Sequence, residues 1–74
     1  MRNTVIDLKQ SKGMDSHKVY RVVDLNTGEK GGWVSENVVV DKNSWVGKSN
    51  TIIMPPKCKL SLQNTIIDGT NIEV

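Results

Sequence analysis

The sequence predicts an all-β fold, a short β-solenoid with hexad repeats, preceded by an N-terminal strand and hairpin. Its main sign is a series of β-branched residues at every sixth position, namely Val34, Val40, Val46 and Ile52. A spacing of six does not match the helical repeat of about 3.6 residues. It matches a chain that turns at fixed intervals and points one apolar side chain inward each time. The intervening positions are rich in Asn, Ser, Asp and Gly, which favour turns.

In the N-terminal part we predict two strands separated by a loop. The pattern of residues 3–8 is that of a short strand, and residues 9–17 are expected to form a mobile loop because they lack apolar periodicity. Residues 18–25 alternate in polarity and predict the clearest strand. The segment Asn26-Thr27-Gly28-Glu29 is typical of a turn. The pair Gly31-Gly32 then indicates a close backbone approach or a sharp bend.

The six-residue spacing predicts which residues stack on one another. After Ile52 the spacing slips by two residues, a slip that we assign to the proline-containing segment 55–58. Three blocks of six would form one coil, so each inward residue would lie under a residue of the coil before. The predicted pairs are Val34 with Ile52, Val40 with Leu60, Val46 with Ile66, and Ile52 with Ile72.

The length of 74 residues predicts a single domain, 1–74, with a cap at 1–32 and the solenoid at 33–74. A chain this short buries only about 60% of its surface on folding, so we expect self-association as a homodimer or homotrimer. Cys58 is the single cysteine, which excludes an internal disulfide and suits a reducing compartment. For its thiol, burial as a small apolar group is favoured over reactivity beside Lys57 and Lys59.

The net charge and the composition limit the classes of partner that the chain is expected to bind. The net charge of +2 is low for a strong nucleic-acid module, so nucleic acid is not the expected partner. No apolar run approaches the roughly 18 residues of a membrane span, and the N-terminus lacks a signal-peptide core. We therefore expect a cytoplasmic protein without a membrane partner. One His, one Cys and scattered carboxylates lack metal-ligand spacing, so neither a metal nor a cofactor is expected.

Catalysis is not predicted. The run Asp15-Ser16-His17 contains the residue types of a hydrolase triad, but a triad is assembled from separate segments rather than from adjacent residues. His17 also lies outside the hexad repeat. The sequence therefore offers no catalytic set, and we expect a protein that is not an enzyme.

The candidate binding residues are aromatic and basic. Trp33 and Trp45 each precede an inward residue, which predicts that they lie outward or at a corner. They would then form an interface, or else pack against residues 1–30 or a second subunit, and the sequence favours neither. Acidic residues are interspersed among the basic ones, so a solvated mixed-charge surface is favoured over a nucleic-acid face. The candidate binding residues are Tyr20, Arg21, Trp33, Trp45 and Lys48.

The chain resembles a group of phage and prophage hexapeptide-repeat proteins over residues 18–51. The matching segments are Tyr20-Arg21-Val22, Gly31-Gly32-Trp33-Val34 and Trp45-Val46-Gly47-Lys48-Ser49-Asn50. Ser35 stands where the group usually has Glu, and the two tryptophans are closer together than in the group. The resemblance implies a β-solenoid and a phage or prophage origin, and it implies no particular reaction.

Three functions remain open on this basis. The first is a non-enzymatic phage-encoded interaction module in the host cytoplasm, which binds a host protein or a small nucleotide-like ligand and acts against host defence. The second is a virion component such as the solenoid tip of a tail fibre or spike. The third is a small β-barrel nucleic-acid binder, which requires a period of two rather than six.

Overall fold

The computed structural model describes residues 2–68, and within them the chain is all-β and contains no helix. Residues 69–74 and residue 1 lie outside the described part. The strands are β1 (Thr4–Met14), β2 (His17–Asp24), β3 (Lys30–Ser35), β4 (Val38–Val40), β5 (Trp45–Val46), β6 (Thr51–Ile52), β7 (Leu60–Leu62) and β8 (Ile66–Ile67). They form one four-stranded sheet in the order β1-β2-β3-β6 and two two-stranded sheets, β4-β7 and β5-β8.

The strands from β3 onward form two stacked tiers. We call β3, β4 and β5 the first tier, and β6, β7 and β8 the second tier. Each strand of the second tier pairs in parallel with its counterpart in the first tier. Parallel neighbours need a long connection between them, and here the rest of one tier supplies it. The all-β prediction is therefore confirmed.

The predicted stacking is correct at one position and wrong at two. Val34 pairs with Ile52, as predicted. Leu60 does not pair with Val40, nor Ile66 with Val46. The partners in the structure are Val38 with Leu60, Val40 with Leu62, Trp45 with Ile66, and Val46 with Ile67. The predicted pair of Ile52 with Ile72 falls outside the described residues.

The connections between strands explain the wrong register. Stacked partners are 18 residues apart at Val34 and Ile52, but 22 apart in β4-β7 and 21 apart in β5-β8. The connection from β6 to β7, residues 53–59, is therefore longer than the slip of two residues suggests. The corner between β7 and β8 is then one residue shorter than the corresponding corner, 41–44, of the first tier. Asn64 takes a positive φ of 51° in this shorter corner, a conformation that asparagine tolerates.

Two side chains hold the long connection 53–59. The Asn37 amide, in the turn between β3 and β4, places its two N–H groups within hydrogen-bond distance of three backbone carbonyls, those of Met54, Pro55 and Cys58. The Oγ of Ser35 donates to the Asn37 side-chain oxygen and accepts from the N–H of Met54. The segment is thus fixed through its backbone, which leaves the Cys58 side chain exposed, and the predicted burial of this thiol is wrong.

The N-terminal hairpin is longer than predicted. β1 extends through most of the segment 9–17 that we predict as a loop, and it pairs antiparallel with β2 up to Met14 and His17. Asp15 and Ser16 make the two-residue turn with φ values of 50° and 66°, the positive values that a type I′ hairpin requires. The polar residues of β1 form a strand because β2 supplies the hydrogen bonds, so apolar periodicity does not reveal it.

The predicted glycine features are confirmed. Gly28 has a φ of 77° and its N–H donates to the Asp24 carbonyl, which closes the turn between β2 and β3. A side chain at Gly31 would meet the Val46 carbonyl, and one at Gly32 would meet the carbonyls of Asn50 and Gly47. Both glycines therefore allow β3 to pass directly against the backbone of the corner that joins β5 to β6.

The core is formed by side chains from the inner faces of all three sheets. Alternation along the strands points Val22, Val34 and Val46 into it, and all three are fully buried. Ile6, Ile52, Met54, Leu60 and Ile67 pack against its margin. The buried cluster consists of Val22, Val34, Val38, Val40, Trp45, Val46 and Leu62.

We predict that Gly32→Ala lowers the free energy of unfolding by about 1–3 kcal/mol, the usual range for an overpacked site. The new Cβ would lie 2.5 Å from the Gly47 carbonyl oxygen, and backbone cannot move aside as a flexible side chain can. Gly13→Ala is the control because nothing lies within 4 Å of its added Cβ. The control should change stability by less than about 1 kcal/mol in chemical denaturation. Equal losses for both variants would contradict the close approach at Gly32.

We also predict that Asn37→Ala loosens the 53–59 connection. Its three carbonyl acceptors would lose their donor, at about 1–3 kcal/mol for groups left unpaired. Trypsin should then cut after Lys57 and Lys59 faster than in the unmodified protein. Asn43→Ala serves as the control, since Asn43 is exposed and, among residues 2–68, its one hydrogen bond runs from its backbone N–H to Asp41. Unchanged cleavage in the Asn37 variant would show that this side chain does not hold the segment.

Candidate functional site

Two cations lie over one tryptophan ring on the outer face of the four-stranded sheet. The Nζ of Lys12 is 4.5 Å from the centroid of the Trp33 ring, and the Cζ of Arg21 is 4.2 Å from it. Distances below 6 Å are those of cation–π contacts. We call Lys12, Arg21 and Trp33 the cationic cluster.

Strand pairing brings the cluster together. Arg21 of β2 is the cross-strand partner of Trp33 of β3, and Lys12 of β1 is the partner of Val19, two residues before Arg21. Val34 is buried in the core, so its neighbour Trp33 points to the opposite, outer face of the sheet. The backbone N–H of Trp33 donates to the Asn50 carbonyl at 3.2 Å, which fixes the strand that carries the ring to the corner between β5 and β6.

One nitrogen of the Arg21 guanidinium is hydrogen-bonded, and another has no acceptor among residues 2–68. Its Nη1 donates to the Gly31 carbonyl at 2.7 Å. Its Nε is buried and finds no hydrogen-bond acceptor in the structure of residues 2–68. A buried guanidinium N–H without an acceptor lowers the stability of the fold.

No carboxylate neutralises the cluster within the described chain. Asp7 is the cross-strand partner of Arg21, yet no ion pair joins Lys12 or Arg21 to any acid of residues 2–68. The Asp7 carboxylate instead accepts from the Gln10 side chain at 2.8 Å and from the Lys9 N–H at 2.9 Å. These two bonds fold residues 8–10 into a bulge of β1, where the register with β2 shifts.

The same two bonds set the acidity of Asp7. The hydrogen bond from Gln10, and next the one from the Lys9 N–H, lower the pKa of the Asp7 carboxyl below its ordinary value of 3.8. The carboxylate therefore stays charged through the neutral range while its lone pairs point into the bulge. Within residues 2–68, the Asp7 carboxylate is bonded to Gln10 and Lys9 and makes no ion pair with Lys12 or Arg21.

The five predicted binding residues do not form one site. Arg21 and Trp33 lie together, and Lys12, which the sequence analysis missed, joins them. Tyr20 precedes Arg21 in β2 and so lies on the opposite face. It lines a small cavity with Ile6, Leu8, Ser35, Glu36 and Val38, and the Nζ of Lys18 is 5.8 Å from its ring.

Trp45 and Lys48 belong to a separate groove of about 640 Å³, bordered also by Glu29, Ile66 and Asp68. Trp45 is only 5% exposed and joins the core directly after the corner 41–44, so of its two predicted positions, outward or at a corner, the outward one is wrong. It turns inward because Gly31 leaves room for its ring. The Arg2 guanidinium covers the ring at 4.4 Å and reaches the carboxylates of Asp24 and Glu29 at 3.6 Å. Of the two alternatives for Trp45, packing against residues 1–30 is therefore the one observed.

Lys12 was missed because it lies in the predicted loop. A loop residue has no defined neighbour, whereas a strand residue of β1 faces Val19. The signal that could have revealed it is the pair Asp15-Ser16, because a two-residue turn there would pair Met14 with His17 and extend the hairpin back to Lys12.

A cavity of about 220 Å³ lies at the tip of the hairpin. Ser16, His17 and Lys18 line it together with Glu36, Asn37, Met54 and Pro56. No hydrogen bond joins Ser16 to His17 among the contacts of the described residues. Residues 2–68 hold no group of three or more His, Cys, Asp or Glu side chains placed to bind a metal ion.

Comparison with known proteins found no match: no family profile, curated protein or solved structure is significantly similar to this chain. The described residues also contain no helix long and apolar enough to cross a membrane.

We predict that Gln10→Ala raises the pKa of Asp7 toward 3.8, because it removes the largest cause of the lowered value. A carboxyl with a lowered folded-state pKa stabilises the fold above its unfolded pKa, and this contribution is lost as the pH falls through the folded value. NMR titration of the Asp7 carboxyl would measure the change between pH 5 and pH 2. Gln63→Ala, at an exposed position, should leave the Asp7 titration unchanged. An unshifted Asp7 in the Gln10 variant would contradict the assigned cause.

Proposed function

We propose that the chain is a non-enzymatic interaction module that binds an anionic partner through the cationic cluster. The observation that carries this proposal is a pair of cations over the Trp33 ring without a carboxylate partner among residues 2–68. A surface of this kind repels other cations and attracts a compact anion such as a phosphate group. The small nucleotide-like ligand expected from the sequence is such a partner.

The chemistry of the cluster favours binding over reaction. The Lys12 and Arg21 side chains are hydrogen-bond donors, and the Trp33 indole is no nucleophile, so the cluster suits the binding of an anion. Arginine can donate two parallel hydrogen bonds to one phosphate, and the Arg21 guanidinium is already held in place by the Gly31 carbonyl. The Trp33 ring orients both cations, so that little conformational entropy is lost when the anion binds.

A phosphate-bearing small molecule fits better than a broad protein surface. Both charges lie within 4.5 Å of one ring centroid, so they are at most about 9 Å apart, a span that a small ligand with one or more phosphates can cover. A host protein with an exposed carboxylate is the alternative partner and would use the same two cations. In either case the module would act by binding its target and not by catalysing a reaction. The proposed role of a phage-encoded antagonist of host defence in the host cytoplasm requires binding alone.

The architecture we propose for this module is a short β-solenoid. Its support is the three parallel pairs, β3-β6, β4-β7 and β5-β8, which succeed one another along the chain in the same order in both tiers. The same observation favours a second candidate function, a solenoid piece of a virion fibre or spike. Peptides of this chain in purified particles would support that candidate. The β-barrel nucleic-acid binder lacks such support because the four-stranded sheet is open, with β1 and β6 at its edges.

We predict that the protein binds AMP or ATP with an affinity that falls as salt rises, since screening weakens exposed charge contacts. Isothermal titration calorimetry with AMP, ATP and inorganic phosphate would measure this. Lys12→Gln should raise Kd roughly tenfold, the equivalent of about 1.4 kcal/mol for one lost charge-assisted contact. Lys42→Gln is the matched control, since Lys42 is exposed and lies outside the cluster. Its Kd should stay within about twofold of the unmodified protein.

Two outcomes would contradict the assignment. Equal losses in the Lys12 and Lys42 variants would mean that the anion is attracted by net charge and not by the cluster. No heat with any of the three phosphate compounds at millimolar concentration would remove the nucleotide-like ligand. Capture of one host protein from bacterial lysate, lost in the Lys12 variant, would then favour the alternative partner.

A further inference from the structure

The cavity at the tip of the hairpin is bounded by two separate parts of the chain. One wall is the start of β2 with the turn before it, and the other is the turn after β3 together with the connection 53–59. The volume of about 220 Å³ lies below the range of about 300–1,000 Å³ that is usual for pockets holding drug-sized ligands. A cavity of this size suits a small metabolite.

The register of the sheet places two opposite charges across this cavity. Val19 of β2 is the partner of Ser35 of β3, and one further step in the same register sets Lys18 opposite Glu36. Side chains at opposite positions of antiparallel strands lie on the same face. Both residues are exposed and both line the cavity, so an ammonium and a carboxylate border the same space.

Neither of these charges forms an ion pair within residues 2–68, where the ion pairs belong to Arg2. The Nζ of Lys18 lies 5.8 Å from the centroid of the Tyr20 ring, close to the limit of about 6 Å for a cation–π contact. A contact at this distance is weak. The Lys18 ammonium can therefore turn toward an anion in the cavity without losing a strong partner.

The wall opposite β2 is fixed by the protein itself. The Asn37 amide donates to the Met54 carbonyl, and the Met54 N–H donates to the Ser35 Oγ, at 3.1 and 3.0 Å. Met54 and Pro56 add apolar side chains to this wall. A wall that is held before binding loses little conformational entropy when a ligand arrives.

The cavity lies away from both ends of the described chain. Asp68, the last described residue, lies beside Gly47, which in turn meets Gly32 near the start of β3. The cavity is found past the other end of β3. At the N-terminal end, Arg2 lies over the ring of Trp45, and the whole of β1 separates it from the turn that borders the cavity.

We propose that this cavity binds a free α-amino acid with an apolar side chain. The ammonium of the ligand binds the Glu36 carboxylate, the carboxylate of the ligand binds the Lys18 ammonium, and its side chain lies against Met54 and Pro56. Two opposite charges that border one cavity without meeting favour a ligand that carries both charges, because a singly charged ion would leave one of them unpaired.

The proposal goes beyond anion binding by the cationic cluster, with which the cavity shares no lining residue. The two can fail separately. Lys12→Gln, which should weaken nucleotide binding, should leave the affinity for an amino acid unchanged.

The test is an NMR titration of the full chain with L-leucine, followed through the backbone amide resonances. Leucine should shift the amides of residues 16–18 and 36–37 with a Kd on the order of 1–10 mM, as expected for two exposed charge contacts. Two further probes each lack one charge of leucine, namely isopentylamine without the carboxylate and 4-methylpentanoate without the ammonium. Each should bind about fivefold more weakly than leucine.

Two variants assign the charges. Glu36→Gln should weaken leucine binding about fivefold and leave 4-methylpentanoate binding within about twofold, because only the ammonium loses its partner. Lys18→Gln should weaken leucine binding by a similar factor and leave isopentylamine within about twofold. Glu29→Gln and Lys42→Gln are the matched controls, since they make the same charge changes at exposed positions outside the cavity. Both should bind leucine within about twofold of the unmodified protein.

Several results would overturn the proposal. One is the lack of any amide shift with leucine at about 50 mM, well above the expected Kd. Others are equal affinities for leucine and the two single-charge probes, or equal losses in Glu36→Gln and Glu29→Gln. Isopentylamine that binds about tenfold tighter to Lys18→Gln would also overturn it, because Lys18 would then be the partner of Glu36 in the free protein.

Discussion

The close passage of β3 against the corner between β5 and β6 is the constraint on which the other features depend. Gly31 and Gly32 have no side chains, so the strand reaches the carbonyls of Val46 and Asn50. This passage allows the Trp33 N–H to bond Asn50 and the parallel pairing of Val34 with Ile52 to begin. The same strand presents Trp33 outward, and the Gly31 carbonyl holds the Arg21 guanidinium. One backbone approach therefore positions both the stacked tiers and the cationic cluster.

Features that depend on local residue chemistry could be read from the sequence. The turn at Gly28, the close approach at Gly31 and Gly32, and the stacking of Ile52 on Val34 all follow from residue type or short spacing. The polar strand β1 could not be read in this way, because partner strand β2 stabilises it and its own side chains bury little. The cationic cluster was predicted only in part, because one of its residues lies in β1. Arg21 and Trp33 lie in recognisable strands, and Lys12 does not.

The register of the second tier shows a different limit of sequence reasoning. A repeat of six gives the period of the inward residues, but the length of each connection decides which residues become partners. Here the Asn37 amide bonds three carbonyls far along the chain and fixes a long connection, while the corner at Asn64 is shorter. Such side-chain-to-backbone bonds depend on three-dimensional proximity, so Leu60 stacks on Val38 and not on Val40. A periodic pattern therefore predicts an architecture more securely than it predicts a register.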